Sequence, residues 1–121
     1  MKTILIVEDS PTEMRLIQKA LEGKGFRLLT AEEGEEAVRK AESERPDLIL
    51  LDIILPKKNG FQVCRHLKSS EETKTIPIVL LTSKSQESDR FWGLKQGADE
   101  YLTKPFEKDQ LLGSVQRFLG R

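Results

Sequence analysis

Four short apolar runs in this 121-residue sequence end in side chains that can do chemistry. Glu8 and Asp9 follow Ile4-Leu5-Ile6-Val7, and Asp52 follows Leu48-Ile49-Leu50-Leu51. Thr82 and Ser83 follow Ile78-Val79-Leu80-Leu81, and Lys104 follows Tyr101-Leu102-Thr103. Carboxylates held close together raise one another's pKa and need a cation. Lys104 offers one positive charge against the three negatives of Glu8, Asp9 and Asp52, and a divalent cation fills the deficit. Oxygen donors at an open, hydrated site favour Mg²⁺ over zinc. Asp52, at the mouth of an unbroken apolar run, is the carboxylate suited to attack phosphorus. Mg²⁺ would neutralise charge on the transferred phosphoryl oxygens, and Lys104 would hold one of them as a point charge. Thr82 adds a hydroxyl. Acidic residues also follow strands simply as helix caps; what favours a site is that all of these groups fall at strand ends.

The elements that must position these groups are legible as a repeat. The runs are too short for helices, and the first three do not alternate, as expected of strands buried on both faces of a parallel sheet. A fifth strand is expected at 26–30. Helices are expected at 11–23, 34–44, 60–69, 88–96 and 108–119. Ser10, Pro11 and Glu13 form a capping-box start for the first, and Gly23 and Gly25 end it. Five β-α repeats imply an α/β fold, a doubly wound five-stranded parallel sheet flanked by five helices. The strand order expected is 2-1-3-4-5, with the site at the carboxyl ends of strands 1 and 3.

Composition narrows the classes. Twenty Lys+Arg balance 20 Asp+Glu, so the basic excess of a nucleic-acid binder is missing. The single cysteine, Cys64, excludes an internal disulfide. The first apolar run is too short for a signal peptide or a membrane span, so a cytoplasmic protein is expected. A single domain over residues 1–121, with no output domain, is expected.

The ordered motifs resemble the CheY-like (flavodoxin-like fold) receiver domains of two-component response regulators. They are Ile4 to Ser10, Pro46 to Asp52 with Pro56 and Asn59-Gly60 after it, Pro77 to Ser83, and Gly97 to Phe106. The resemblance implies that Asp52 accepts a phosphoryl group from a histidine kinase. It implies Mg²⁺ on Asp9, Asp52 and the Ile54 carbonyl, with Glu8 bound through water, and Thr82 and Lys104 on the phosphoryl oxygens. It also implies a cis Lys104–Pro105 bond and Tyr101 turning inward as a switch when Thr82 moves. A partner face on helix 4, strand 5 and helix 5 would include Arg90, Leu94, Tyr101 and Thr103, and would serve a downstream target or a phosphorylation-dependent dimer. Within that family, Ser10 to Glu13, Gly60 to Arg65 and Thr82 to Ala98 are similar to single-domain receivers of the twitching-motility branch (PilH-type). That likeness implies a chemotaxis-like kinase as phosphodonor.

Other residues are weighed against ordinary roles. His66 reads as a surface helical residue, Cys64 as a small core residue, and Lys57-Lys58 as a solvated loop. Phe91 and Trp92 are assigned to packing. Ile54 and Lys84, two residues after Asp52 and Thr82, would obstruct attacking water and prolong a phosphoryl group's lifetime. A haloacid-dehalogenase-type phosphohydrolase would need a second Asp where Ile54 stands. A flavodoxin-type phosphate loop would not carry Glu8-Asp9. A receiver reduced to an adaptor would not need the full set of Glu8, Asp9, Asp52, Thr82 and Lys104.

Overall fold

The computed structural model describes residues 1–120. In chain order the elements are β1 (Thr3–Val7), α1 (Pro11–Leu21), β2 (Arg27–Ala31), α2 (Gly34–Glu44) and β3 (Leu48–Leu51). They continue with α3 (Gly60–Ser69), β4 (Ile78–Thr82), α4 (Glu87–Lys95), β5 (Glu100–Thr103) and α5 (Lys108–Leu119). The sheet order is β2-β1-β3-β4-β5 and every pairing is parallel, as the repeat implied.

The continuous apolar strands supply two cores, because successive side chains point to opposite faces. Leu5, Val7, Ile49, Leu51, Ile78 and Leu80 pack on one face with Ala37, Val38 and Ala41 of α2 and Val63, Cys64 and Leu67 of α3. Ile4, Ile6, Leu48, Leu50, Val79 and Leu81 pack on the other with Ile17 and Leu21 of α1 and Leu111, Val115 and Leu119 of α5. All of β1, β3 and β4 is buried, so functional groups can emerge only at the strand ends.

Several local expectations shift. α1 stops at Leu21, and Gly23 and Gly25 take positive φ in the turn that follows. Ser10 caps α1 by accepting from the Glu13 N–H at 3.3 Å. The capping box does not close, because the Glu13 carboxylate lies 3.4 Å from Lys104 Nζ and the Ser10 N–H donates to Glu8 instead.

α4 departs most from expectation. Phe91 and Trp92 are not packed; they are 62% and 51% exposed. Gly93 is the helix's one buried residue, and a Cβ there would lie 2.7 Å from Leu80 Cδ1 and 3.0 Å from Tyr101 Cδ2. The helix therefore lies against β4 and β5 on a bare backbone, and its large apolar side chains turn outward.

The loop after β3 is held equally tightly. Asn59 and Gln62 form a reciprocal capping box at the start of α3, and the Gly60 N–H donates to the Ile53 carbonyl at 2.8 Å. A Cβ on Gly60 would stand 2.3 Å from the Asp52 carbonyl oxygen and 2.6 Å from Ile53 Cα. These are backbone atoms, which cannot rotate away. Gly60→Ala is expected to cost about 2 kcal/mol or more, read as a lowered midpoint in urea unfolding; an unchanged midpoint would show that this loop yields freely.

Candidate functional site

Backbone hydrogen bonds carry the sheet one residue beyond its strands and set the site. The Glu8 N–H donates to the Ala31 carbonyl, the Asp52 N–H to Val7, and the Lys104 N–H to Thr82, at 3.0, 3.1 and 2.8 Å. The ends of β1, β3 and, across β4, β5 thus present Glu8, Asp52 and Lys104 toward one another. Lys104 Nζ lies 2.6 Å from Glu8 Oε1 and 3.1 Å from Asp52 Oδ2. The remaining carboxylate oxygens are also engaged. Glu8 Oε2 accepts from the Ser10 N–H at 3.1 Å, and Asp52 Oδ1 from the Ile54 N–H at 3.1 Å. The Lys104–Pro105 peptide is cis.

Burial makes this arrangement electrostatically tense. Glu8 is 2% exposed and Asp52 6%. Burial pushes the Glu8 carboxyl above its usual range, the Lys104 hydrogen bond partly offsets this, and the charge of Asp52 adds to the rise. For Lys104, burial favours the neutral amine, but hydrogen bonds and charges from Glu8 and Asp52 outweigh it and hold the ammonium above its ordinary pKa. The lysine is thus a fixed cation shared by two carboxylates.

Glu8, Asp9 and Asp52 all line one cleft, as expected, but their side chains are not gathered round a single point. Among the described residues no three His, Cys, Asp or Glu side chains surround a common point. Glu8 is drawn inward to Lys104, whereas Asp9 is exposed and has no ion pair among the described residues. Asp9, Asp52 and Ile54 nonetheless line one open cleft of about 610 Å³, together with Glu13, Ser83 and Lys104. Its opposite wall is apolar, from Leu16 and Ile17 of α1 to Phe106. The carboxylates of Asp9 and Asp52 on that cleft are hard oxygen donors, of the kind that suits Mg²⁺.

Thr82 and Tyr101 meet through Lys84. Thr82 is fully buried, and its Oγ1 accepts from the Lys84 N–H at 3.3 Å. The Tyr101 hydroxyl donates to the Lys84 carbonyl at 2.6 Å. Tyr101 is 2% exposed, so it does not contribute an exposed ring to the expected partner face. Its ring lies beneath Gly93, with the Arg90 guanidinium 5.3 Å from its centroid, and Arg90 Nη1 donates to the Tyr101 carbonyl. Burial pushes the Tyr101 phenol up to about 12. Arg90 and Leu94 are exposed as expected, and Thr103 is half-buried. Ile54 is 54% exposed at the cleft.

Sequence reasoning missed Glu13 at this site. Its spacing from Ser10 indicated a cap, and nothing in sequence marked the approach of Lys104 from 91 positions later. Cys64 is buried, with burial raising its thiol to about 12, and His66 is on the surface, both as expected.

Residues 4–116 match the response regulator receiver domain. The chain belongs to that family. This receiver is 46% identical over 120 residues to protein PilH of Pseudomonas aeruginosa, with 99% of each chain covered. It is 44% identical to the alkaline phosphatase synthesis transcriptional regulatory protein PhoP of Bacillus subtilis, of which it spans 49%. Among solved structures it is similar to the receiver domain of sensor histidine kinase PA1611 from Pseudomonas aeruginosa (TM-score 0.91, 36% identity, 99% and 98% covered), which holds a magnesium ion in its active-site cleft. It is also similar to chemotaxis protein CheY4 of Vibrio cholerae (TM-score 0.91, 32% identity, 98% and 99% covered). No helix among the described residues is long and apolar enough to cross a membrane.

Because Lys104, alone among the described residues, pairs with both buried carboxylates, Lys104→Ala in metal-free buffer is expected to cost about 3 kcal/mol. Adding Glu8→Gln should recover part of that loss, since it removes one of the two stranded charges. Urea unfolding of the single and double variants measures both quantities, and a double variant no more stable than the single one would contradict the shared-cation account.

Proposed function

We propose that this receiver accepts a phosphoryl group on Asp52 from a phosphohistidine of a histidine kinase, in a Mg²⁺-dependent reaction, and signals through protein contact. The observation that carries this reading is the Lys104 ammonium set between Glu8 and Asp52 at three strand ends, beside the exposed carboxylate of Asp9. Asp9, Asp52 and the Ile54 carbonyl would hold Mg²⁺, with Glu8 acting through water, and the bound ion would neutralise charge on the phosphoryl oxygens. An Asp52 carboxylate oxygen forms the new O–P bond as the donor's P–N bond breaks. The leaving imidazole keeps the electron pair of that bond and ends protonated from solvent. Lys104 takes up the added negative charge.

The switch works through Lys84. Its N–H bonds Thr82 and its carbonyl bonds Tyr101, so drawing the Thr82 hydroxyl toward a phosphoryl group perturbs both contacts. Tyr101 is already inward in this structure, so phosphorylation would stabilise an accessible arrangement rather than create one. The altered α4–β5–α5 face, with Arg90, Leu94 and Thr103, would then bind a downstream protein or a second copy. The likeness to PilH across 99% of both chains supports a chemotaxis-like kinase as donor and a role in twitching motility.

Incubation with acetyl phosphate should add one phosphoryl group to the wild-type chain with Mg²⁺ present, and none after EDTA or in Asp52→Asn. Equal incorporation in Asp52→Asn would overturn the assignment. Ile54, half-exposed at the cleft, is expected to slow hydrolysis by obstructing water. Ile54→Asn should therefore shorten the phosphoryl half-life several-fold, and an unchanged decay would remove Ile54 from the account.

A further inference from the structure

α4 carries its large apolar side chains outward on two flanks. Its Leu94 flank adjoins Arg90 and the β5 face already described. Trp92 lies two residues from Arg90, about 200° around the helix, on the flank toward α3. There Trp92, Lys95 and Gln96 line a groove of about 350 Å³ with Arg65 of α3.

Three observations single out this groove. Trp92 is 51% exposed, with Phe91 next to it at 62%, a concentration of aromatic surface on a helix that needs only Gly93 for its packing. Exposed aromatic surface of this kind marks contact sites, and Trp and Arg are the side chains that most often dominate binding energy. Arg65 and Lys95 have no ion-pair partner among the described residues, whereas the neighbouring Lys68 of α3 pairs with Asp99 at 2.9 Å. The charge is therefore available to a ligand. Lys95 also lies 5.8 Å from the Phe91 ring centroid, which holds the cation beside the aromatic surface.

We propose that the α3–α4 groove is a second docking surface, separate from the α4–β5–α5 face, for an acidic segment of a partner protein that lays an apolar or aromatic side chain on Trp92. The partner's carboxylates pair with Arg65 and Lys95, and Gln96 supplies amide hydrogen bonds at the rim. Two cations in a chain of zero net charge suit a short acidic peptide; they do not make the extended basic surface that a nucleic-acid backbone requires. Occupancy of the groove does not depend on phosphorylation at Asp52.

Trp92 is the only tryptophan, so its fluorescence reports the groove directly. A library of short random-sequence peptides is panned on the full chain without any phosphodonor, and enriched peptides are titrated while Trp92 emission is followed. Enriched sequences should combine Asp or Glu with an apolar or aromatic residue and should shift the emission saturably. Arg65→Glu/Lys95→Glu should weaken binding at least about tenfold, and calorimetry should show the same loss for Trp92→Ala. Lys2→Glu/Lys24→Glu, an equal charge change at exposed sites elsewhere, should bind like wild type; circular dichroism checks that each variant folds. Peptides lacking acidic residues, no enrichment, a silent Trp92, or equal binding by Arg65→Glu/Lys95→Glu would each overturn the proposal. A dimer in sedimentation equilibrium that Arg65→Glu/Lys95→Glu abolishes would also overturn it, by assigning the groove to a second copy. Because no step uses Asp52, failure here leaves the phosphoacceptor reading untouched, and loss of that reading leaves this one standing.

Discussion

One ammonium group, Lys104 Nζ, lies between two carboxylates that burial would make very costly to hold together without it. Everything else in the fold can be understood as the means of bringing it there. Lys104 is far from both partners in sequence, and only a parallel sheet with β1, β3, β4 and β5 side by side puts these strand ends at one edge. The interiors of β1, β3 and β4 are apolar, so Glu8 and Asp52 follow the last residues of β1 and β3. The same interaction stores the site's chemical potential. A cation already shared by two anions is poised for a larger negative charge, and a receiver needs a place where adding a phosphoryl group changes the balance of local forces.

The second constraint is closeness of backbone. Gly60 lets the loop after β3 fold back over Asp52, and Gly93 lets α4 settle on Leu80 and Tyr101. In each case a methyl group would intrude, on the Asp52 backbone or on the Tyr101 ring. Gly93 also explains two features at once: Tyr101 is sealed inward, and Phe91, Trp92 and Leu94 are left outside. α4 is thereby freed from core duty and presents apolar surface on both flanks.

Much of this was legible in the sequence because it depends on short-range pattern. Continuous apolar runs ending in charged or hydroxyl residues gave the strands, their order and the positions of Glu8, Asp52, Thr82 and Lys104. Side-chain direction was less legible. Helical spacing assigned Phe91 and Trp92 to packing, because a periodicity argument cannot see that a glycine makes the contact. Tyr101 was expected on an exposed face, but its ring is held inward by contacts with Gly93 and a hydrogen bond to the Lys84 carbonyl, which no local pattern encodes. The capping motif at Ser10 was read correctly for Ser10 and incorrectly for Glu13, because a long-range charge won the carboxylate from its local partner. Glu8, Asp9 and Asp52 line one cleft as expected, but the pairing of Glu8 with Lys104 was not legible.

The site of phosphoryl attachment tests the central claim most directly. Borohydride reduces an aspartyl phosphate to homoserine, which tandem mass spectrometry locates by residue. After treatment with acetyl phosphate and Mg²⁺, the account predicts homoserine at position 52 and at no other acidic residue. Label at Asp9, at Glu8 or on the hydroxyl of Thr82 or Ser83, with Asp52 unmodified, would contradict it.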